Sequence, residues 1–439
     1  MSATAIGVIG VVIMLVMILA MGMSPGLAML LTGFAGILVI HPPASAAALF
    51  NGVAGPELWG VFSNYGFTVI PLFVLLGEVI SHAGYSDRLF HAAKVWVGHK
   101  RGGLAATTVL AAAGFSSICG SNSATAATMC TVALPPMGKA GYHPELKTGC
   151  IAAGSTLGAV IPPSIVLVVF GIHTRVSIGK LFAGSIIPGL LLTTSFIATI
   201  AWIAWRRPSW APASERSSWR ERLAVLKDVV DVLALFAVIM IAMFSGIVTP
   251  TESAGFGAFI AIVVCAVRGR LTRAAFAKSL QSTLRVSAMV FLILAGATVF
   301  GKFLTLSLIP TMLTEWVATA HLAPGAILLL IMGCYMLGGC LMDALAFLLV
   351  TLPLFQPLVE GMGYDMIWFG QLVCLVTTLG AITPPIGVSC FIVSGMTPDA
   401  TSAQVTRGAA RFIPAYALVY IILNLFPNQT VHWLADMAQ

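Results

Sequence analysis

The sequence predicts an all-α, polytopic membrane protein that is built from two inverted-topology repeats. Three observations predict it: the composition, an internal repeat and the distribution of basic loops. Of the 439 residues, 59% are hydrophobic and 8% are charged, whereas soluble domains hold about 25% charged residues. Apolar runs of about 17–25 residues recur along almost the whole chain, and each can cross ~30 Å of hydrocarbon. We therefore expect a single membrane domain.

The internal repeat consists of two copies of a proline-interrupted segment. The first copy reads "TLGAVIPPSIVLVVFG" from Thr156, and the second reads "TLGAITPPIGVSCFIVSG" from Thr378, at a spacing of 222 residues (378 − 156). The same spacing relates three further pairs: Gly141 and Gly363, Tyr142 and Tyr364, Pro135 and Pro357. Matches in one register indicate a duplication, and paired proline-interrupted segments in two halves are typical of secondary transporters.

The basic residues predict that the two halves run in opposite directions through the membrane. Loops rich in Lys and Arg stay in the cytoplasm. The basic residues cluster in three groups, which are Arg88, Lys94, Lys100 and Arg101; Arg206, Arg207, Arg216, Arg220, Arg222 and Lys227; and Arg268, Arg270, Arg273, Lys278 and Arg285. Counted from these loops, spans near residues 5–21, 24–41 and 64–82 place the N-terminus outside. Spans near 229–247, 252–267 and 286–301 run the opposite way.

Two weakly basic segments agree with this inverted arrangement. Residues 302–321, the counterpart of the basic residues 87–101, contain one Lys, as expected if the two segments lie on opposite faces. The C-terminal stretch "NQTVHWLADMAQ" contains no Lys or Arg. We therefore expect both termini on the outer face.

The domain plan follows from the repeat. Residues 1–205 form the first inverted repeat, residues 206–227 a basic cytoplasmic linker, and residues 228–439 the second repeat. Each repeat contains a re-entrant hairpin with a polar or Gly-rich centre, followed by a broken helix. In the first repeat the hairpin is predicted at 103–139 and the broken helix at 146–172. In the second repeat the hairpin is predicted at 323–361 and the broken helix at 366–396. Irregular backbone at membrane depth is tolerated only where it is buried or lines a cavity. The hairpin tips and the Pro-Pro breaks should therefore meet in one polar place.

Such a break predicts ion-coupled transport. A helix interrupted in mid-membrane exposes carbonyls at the end of its first half and amides at the start of its second half, which favour a cation and an anion. In the first repeat the predicted sodium ligands are side chains of the hairpin tip (Ser121, Asn122 and Ser123) and carbonyls of the break (Gly158, Ile161 and Pro163). The hydroxyls of Ser155, Thr156 and Ser164 could add further ligands. Na⁺ is expected only as the coupling ion, and no cofactor is expected.

The second repeat supplies an equivalent set of predicted sodium ligands: Gly338, Gly339, Asp343, Thr378, Gly380 and Thr383. Asp343 is the notable member, because a carboxylate within a membrane span costs about 2.5–3.5 kcal/mol and indicates function. The alternative is that Asp343 only caps the second hairpin helix. Amides at the breaks can hold a substrate carboxylate without an Arg, and the predicted substrate-binding residues are Asn122, Pro162, Ser164, Pro385 and Gly387.

Several other functions find no support in the sequence. The net charge of +7 comes from loop residues that set orientation, so no nucleic-acid partner is expected. The scattered Trp and Phe residues are expected to face lipid or to contribute to packing. The eight cysteines lack CxxC pairs or neighbouring His ligands, and no enzyme motif or P-loop is found. Glu252, just after Thr249 and Thr251, is expected to have a structural role at a helix start, and Glu78 to face headgroups.

The motifs resemble a known family. These motifs are the segments "CGSNSATAATMCTVALPPMGKAGYHPELKTGCIAAGSTLGAVIPPSIVLVVFG", "SIGKLFAGSIIPGLLL", "GIVTPTESAG" and "LMDALAFLLVTLPLF" with "ITPPIGVSCFIVSG". Together they resemble the large membrane subunit (DctM type) of TRAP transporters, within the ion transporter superfamily. The likeness covers nearly the whole chain. One departure is Thr378, where the family commonly has an acid.

The resemblance implies Na⁺-coupled import of an organic anion across the bacterial inner membrane. It also implies two partners, a periplasmic substrate-binding protein (DctP type) and a separate small four-helix membrane subunit (DctQ type). It implies an elevator mechanism in which hairpins and broken helices move against a scaffold of the other spans. Two alternatives stay open: a stand-alone Na⁺/anion symporter of the divalent-anion type, and a non-transporting membrane assembly subunit.

Overall fold

The computed structural model describes residues 2–40, 52, 55–214, 216–319 and 322–438, and these residues form helices without any strand. Among the described residues, eight helical segments are long and apolar enough to cross a membrane, and five shorter helices are also apolar. The predicted all-α polytopic architecture is therefore confirmed. The last residue of the predicted span 24–41 and residues 320–321 of the segment 302–321 lie outside the described residues.

The α-helices in chain order are α1 (Ala3–Leu19), α2 (Pro25–Ile40), α3 (Gly55–Ser63), α4 (Val69–His82), α5 (Tyr85–Val97), α6 (Gly103–Cys119), α7 (Asn122–Lys139), α8 (Pro144–Ser155), α9 (Leu157–Val160), α10 (Ile165–Thr174), α11 (Ile178–Arg206), α12 (Trp219–Phe244), α13 (Pro250–Val267), α14 (Arg273–Leu306), α15 (Ile309–Thr319), α16 (Pro324–Leu341), α17 (Ala344–Gly361), α18 (Met366–Gly380), α19 (Val388–Gly395), α20 (Ser402–Ala410), α21 (Ile413–Leu425) and α22 (Trp433–Met437).

Side-chain caps set where several of these helices begin. Thr249 and Glu252 form a capping box at the start of α13, with Pro250 in the first helical position. The predicted structural role of Glu252 is therefore confirmed. Ser218 and Glu221 form a second capping box that starts α12, so the predicted linker 206–227 ends inside a helix.

Helix α14 differs from the sequence prediction. Thr272 caps its start, so Arg273, Lys278 and Arg285 lie on a helix and not in a loop. The predicted span 286–301 is the central part of this 34-residue helix, which is ~50 Å long at 1.5 Å per residue and exceeds the hydrocarbon thickness. The hydropathy pattern located the apolar part and missed the basic turns that extend the helix beyond it.

Glycines allow α14 to pack closely on α2. A Cβ on Gly26 would lie 2.7 Å from the Leu292 carbonyl, and a Cβ on Gly33 would lie 2.9 Å from the Phe300 amide. Helix α14 also contacts α4 and α17. It therefore connects the N-terminal helix α2 to α17.

Two helix pairs and two interrupted helices occupy the centre of the molecule. The pair α6 and α7 turns at Gly120–Ser121, and the pair α16 and α17 turns at Met342–Asp343. The first interrupted helix comprises α8, α9 and α10, and the second comprises α18 and α19. Helix α9 packs on α6 and α7, whereas α10 packs on α17, and α19 packs on α7. Each interrupted helix thus contacts both hairpin pairs.

Candidate ion and substrate site

The first break lies between α9 and α10 and is enclosed by protein. Ile161 and Ser164 are extended, and a cis peptide joins Pro162 to Pro163. Prolines have no N–H, so the carbonyls four residues earlier, those of Gly158 and Ala159, have no i+4 amide to accept from. Both prolines and Ser164 are buried, and these carbonyl oxygens lie away from bulk water. The break therefore has the acceptors that a hard cation prefers.

The first hairpin tip contacts this break directly. A Cβ on Gly158 would lie 2.8 Å from the Ser121 carbonyl carbon and 2.9 Å from its oxygen. Gly120 has a φ of +61°, and a Cβ there would lie 2.7 Å from the Pro163 carbonyl oxygen. Glycine is required at both positions, because any side chain would push the tip from the break. The predicted partners Ser121, Gly158 and Pro163 thus lie together.

Asn122 provides an acceptor that the described residues leave unused. Its Oδ1 is buried and accepts no hydrogen bond within the described part of the chain. A buried amide oxygen without a partner is costly, and such an atom calls for a ligand. The adjacent residues differ: the Ser121 hydroxyl accepts from the Ala124 amide at 3.4 Å and so caps α7, while Ser123 is half-buried. Asn122 is therefore the strongest candidate cation ligand among the tip side chains.

The additional hydroxyls of the first break make local hydrogen bonds. Ser155 donates to the Ala152 carbonyl at 2.8 Å, and Thr156 donates to the Ala153 carbonyl at 2.6 Å. Ser164, 0% exposed, accepts from the Leu167 amide at 3.4 Å. The predicted anion-binding residue Ser164 is therefore the N-cap of α10.

The second hairpin also packs on its own break. A Cβ on Gly339 would lie 2.2 Å from the Thr377 carbonyl oxygen, and one on Gly380 would lie 2.4 Å from the Met336 carbonyl oxygen. The Gly387 amide donates to the Cys340 carbonyl at 3.0 Å. Gly338 packs elsewhere, beneath the Phe347 ring. Gly339 and Gly380 are thus in contact, while Gly338 contributes to packing within the hairpin.

Asp343 caps the second hairpin helix. It is the N-cap residue of α17, and its Oδ2 accepts from the Leu345 amide at 3.0 Å. The predicted capping role of Asp343 is therefore confirmed. A carboxylate has further lone pairs, so the cap leaves acceptor capacity for a cation.

The second break uses its own carbonyls more fully than the first. The Thr383 amide donates to the Gly380 carbonyl at 2.9 Å, and the Ser389 amide donates to the Ala381 carbonyl at 3.0 Å. The Thr383 hydroxyl donates to the Leu379 carbonyl at 2.7 Å. Gly387, with a φ of +59°, precedes α19 without a side-chain cap. The α19 amides consequently depend on backbone or ligand for their partners.

Two ion pairs anchor the start of α8 to the segment before α21. Arg411 donates to Glu145 at 2.5 Å, and the Lys147 ammonium pairs with Asp399. The Lys147 side chain is 5% exposed, whereas that of Asp399 is 65% exposed. A hydrogen bond from Lys147 holds the pKa of the Asp399 carboxyl below its usual value. These contacts fix the first broken helix at its start.

Sequence reasoning missed Tyr416. Its buried hydroxyl donates to the Thr156 hydroxyl at 2.5 Å. Because Thr156 is 260 residues away in sequence, no local pattern predicts the contact. A contact between Phe170 of α10 and Phe369 of α18, with ring centroids 6.2 Å apart, joins the two broken helices. Only the tertiary structure identifies these links.

Comparison with known proteins gives one family over nearly the whole chain. The family model for the tripartite ATP-independent periplasmic transporter DctM component matches residues 2–429. The C4-dicarboxylate TRAP transporter large permease protein DctM of Pseudomonas aeruginosa is 33% identical over 86% of this chain and 89% of its own length. The sialic acid TRAP transporter large permease protein SiaM of Vibrio cholerae is 30% identical over 91% of this chain and 96% of its own length.

A solved structure shares the fold at low sequence identity. The crystal structure of the Alcanivorax borkumensis YdaH transporter superposes with a TM-score of 0.69, covering 94% of this chain and 100% of that one at 14% identity. At such identity the likeness supports the fold alone.

Proposed function

The chain belongs to the DctM family of TRAP transporter large permeases, and on this premise we propose that it imports an organic acid by Na⁺-coupled secondary transport. Membership identifies a multi-span component of a bacterial membrane transporter. The single observation that carries the coupling proposal is the buried, unpartnered Oδ1 of Asn122 at the tip that touches Gly158. An oxygen in that setting suits a desolvated monovalent cation.

Each proposed ion site combines a hairpin tip with the carbonyl end of a half-helix. In the first, the proposed ligands are the Asn122 Oδ1, the neighbouring tip residues Ser121 and Ser123, and the carbonyls of Gly158, Ile161 and Pro163. In the second, the proposed residues are Gly339, Asp343, Thr378, Gly380 and Thr383; Gly338, the other predicted member, packs against the Phe347 ring and is left out. Helix C-terminal ends carry partial negative charge, and this stabilises a cation where water is excluded. The cation is transported with the substrate and does not remain as a cofactor.

The proposed anion site uses the amide ends of the same breaks. The positive ends of α10 and α19 favour a carboxylate, and Ser164, Pro162, Asn122, Pro385 and Gly387 are the proposed contacts. The relatives named for C4-dicarboxylates and for sialic acid are both permeases for carboxylic acids. This supports a carboxylate as the substrate class.

We further propose the partners and motion that the family implies. A small four-helix membrane subunit and a periplasmic binding protein complete the transporter in the bacterial inner membrane, with both termini of this chain in the periplasm. The hairpins and broken helices move as a transport domain against the remaining spans. The contacts of α9 with α6 and α7 and of α19 with α7 support treating those elements as one moving unit.

Uptake into proteoliposomes tests this proposal. The chain is reconstituted with its small subunit, and labelled C4-dicarboxylates and sugar acids are offered with and without the binding protein, under a Na⁺ or a K⁺ gradient. We expect uptake only with both Na⁺ and the binding protein. Uptake that needs no binding protein would favour the stand-alone symporter. Failure with every partner present would contradict transport.

A further inference from the structure

A buried ammonium group lies in the wall of a cavity at one end of the broken helices. The cavity has a volume of about 490 Å³ and lies between Cys130 and Leu134 of α7 and Met396 at the end of α19. Lys147 of α8 and Asp399 also line it. The Lys147 side chain is 5% exposed, and its charged partner within the described chain is Asp399, whose side chain is 65% exposed. The cavity therefore offers a desolvated positive charge with an exposed counter-ion.

Lys147 is exceptional among the elements that build the proposed transport site. In the described helices of the hairpin pairs and the interrupted helices, α6–α10 and α16–α19, the only other Lys or Arg is Lys139, which is exposed. A buried ammonium is costly unless it is paired, because burial removes its hydration. Lys147 therefore needs a carboxylate beside it, and any carboxylate that enters the cavity can meet this need.

The cavity lies at the end of the molecule that carries the basic loops. His143 directly precedes α8 and donates its backbone amide to the Trp210 carbonyl at 3.1 Å, and the two rings stack with centroids 3.7 Å apart. Trp210 follows Arg206 and Arg207 in the segment that is predicted to be cytoplasmic. Lys147, one turn into α8, consequently lies on the proposed cytoplasmic side.

Two helices lead from the proposed substrate site to this cavity. Helix α7 begins at Asn122 on the first hairpin tip, and α19 begins directly after Gly387 in the second break. The two helices contact each other. Helix α19 has eight residues, so the cavity lies ~12 Å from the second break at 1.5 Å per residue. A small acid is shorter than this distance and reaches Lys147 only after it has left the breaks.

Asp399 is suited to exchange with a second carboxylate. Because its side chain is largely exposed, its carboxylate keeps most of its hydration and loses little when it turns away into water. It lies in the non-helical segment between α19 and α20. The nearby pair of Arg411 and Glu145 differs, since the Glu145 side chain is 10% exposed and neither residue is among those that line the cavity. The Lys147 pair is the one whose carboxylate can be replaced from the cavity.

We propose that Lys147 binds the carboxylate of the transported acid on the cytoplasmic exit path and that Asp399 displaces the acid from it. This inference rests on the proposed import of an organic acid. One carboxylate replaces another on the same ammonium, so no unpaired charge is buried at any step. Asp399 is tethered beside the ammonium at an effective concentration on the order of millimolar. The acid is therefore held weakly and leaves toward the cytoplasm.

The first test measures anion binding without transport. The complex of this chain with its small subunit is purified, and its unfolding temperature is followed in sodium acetate, with sodium chloride at the same Na⁺ concentration as the reference. In Asp399→Ala, acetate should bind the unpaired ammonium and raise the unfolding temperature by about 1–2 °C over chloride. The wild type should need about 10-fold more acetate for the same rise, because Asp399 competes.

Matched double variants assign the acetate effect to Lys147. In the Asp399→Ala background, Lys147→Met should abolish the acetate effect, and the exposed Lys139→Met should retain it. An acetate effect that survives Lys147→Met, or that is equal in the wild type and in Asp399→Ala, would overturn the inference. The comparison of the wild type with Asp399→Ala decides the question even if Lys147→Met does not fold.

The second test measures exit in proteoliposomes that contain unlabelled transported acid. Binding protein added only outside selects the molecules whose periplasmic face points outward, and uptake of labelled acid is measured as the internal acid is raised. Asp399→Ala should be inhibited at about 10-fold lower internal acid than the wild type, because the acid no longer has a competitor. Lys147→Met should need more internal acid, and Lys139→Met should match the wild type. Equal internal inhibition in all four proteins would contradict a role in exit.

The two tests separate this inference from the proposed function. A wild type that takes up no acid with every partner present would contradict import and the exit role with it, whereas an acetate effect that depends on Lys147 would still establish the anion site. Normal uptake driven by Na⁺, together with an acetate effect that ignores Lys147, would contradict only the inference drawn from this cavity.

Discussion

The two Pro-Pro breaks have nearly the same sequence but differ in their surroundings and hydrogen bonding. In the first, Ser164 is 0% exposed and caps the following helix; in the second, Ile386 is 43% exposed and Gly387 follows it without a side-chain cap. The Gly380 and Ala381 carbonyls of the second break accept local amides. A duplicated motif therefore fixes the backbone interruption, while the neighbouring residues determine which polar atoms remain for ligands.

The hairpin tips differ in the same way. The first tip has a left-handed Gly120 and an Asn122 whose Oδ1 has no partner in the described chain, whereas the second has an extended Met342 and the capping carboxylate Asp343. The first proposed site thus depends on neutral oxygens in a buried place. The second adds a formal charge beside a more exposed break. We infer that the two sites hold their cations with unequal strength.

The largest expected effect comes from the glycines at which each tip touches its break. Gly158→Ala and Gly380→Ala introduce a Cβ within 2.8 Å and 2.4 Å of backbone atoms, and overpacking of this kind costs about 1–3 kcal/mol. Both variants should lose most uptake, with Gly380→Ala the more affected because its contact is shorter. Uptake and thermal unfolding provide the measurements. Gly138→Ala on α7, which has open space around it, is the control, and equal activity in all three variants would refute the tip contacts.

Asn122→Ala combined with Ser121→Ala tests the first ion site. Removing the free amide oxygen should raise the Na⁺ concentration for half-maximal uptake by about 10-fold, because a hydrogen bond or ligand to a charged group is worth ~1.5 kcal/mol or more. A Na⁺ titration of the uptake rate measures the change. Thr131→Ala, exposed on the same helix, should leave the titration unchanged. An unaltered Na⁺ dependence in the double variant would remove this site.

Asp343→Asn separates charge from capping at the second tip. Asn is as good an N-cap as Asp, so the unfolding temperature should stay within error of the wild type. The half-saturating Na⁺ concentration should rise by about 3-fold or more, since a neutral amide replaces the carboxylate near the cation. An unchanged Na⁺ dependence would contradict a role of Asp343 in cation binding and would show that its carboxylate only caps α17.

The smallest expected effect concerns the anchor between Lys147 and Asp399. Asp399→Asn leaves the buried ammonium without its carboxylate, and because Asp399 is largely exposed the loss should be about 1 kcal/mol or less. The folded-state pKa of Asp399 is lowered, so the stabilisation is present above its unfolded value of 3.8 and lost as the pH falls through the lowered pKa. Unfolding temperatures of wild type and variant should differ at pH 5–8, and the difference should disappear only as the pH falls below 3.8 and through the lowered pKa. A constant difference down to low pH would contradict the ion pair.

The sequence predicted the architecture well where a pattern is local. Apolar length, the Pro-Pro pair and the Thr249–Glu252 capping signal each involve neighbouring residues, and the structure has the corresponding helices, interruptions and cap. The predicted extent of α14 was wrong because the apolar pattern stops where the basic turns of the helix begin. The contacts of Tyr416 and the free oxygen of Asn122 depend on residues that are distant in sequence. Such features lie beyond pattern reasoning.

Simultaneous flux of Na⁺ and substrate tests the central proposal most directly. Radioactive Na⁺ and a labelled organic acid are measured in the same proteoliposomes, which contain the chain, its small subunit and the loaded binding protein. We predict that Na⁺ enters in a fixed ratio to the acid and that Asn122→Ala with Ser121→Ala reduces both fluxes together at limiting Na⁺. Accumulation of the acid without any accompanying Na⁺ entry would contradict it.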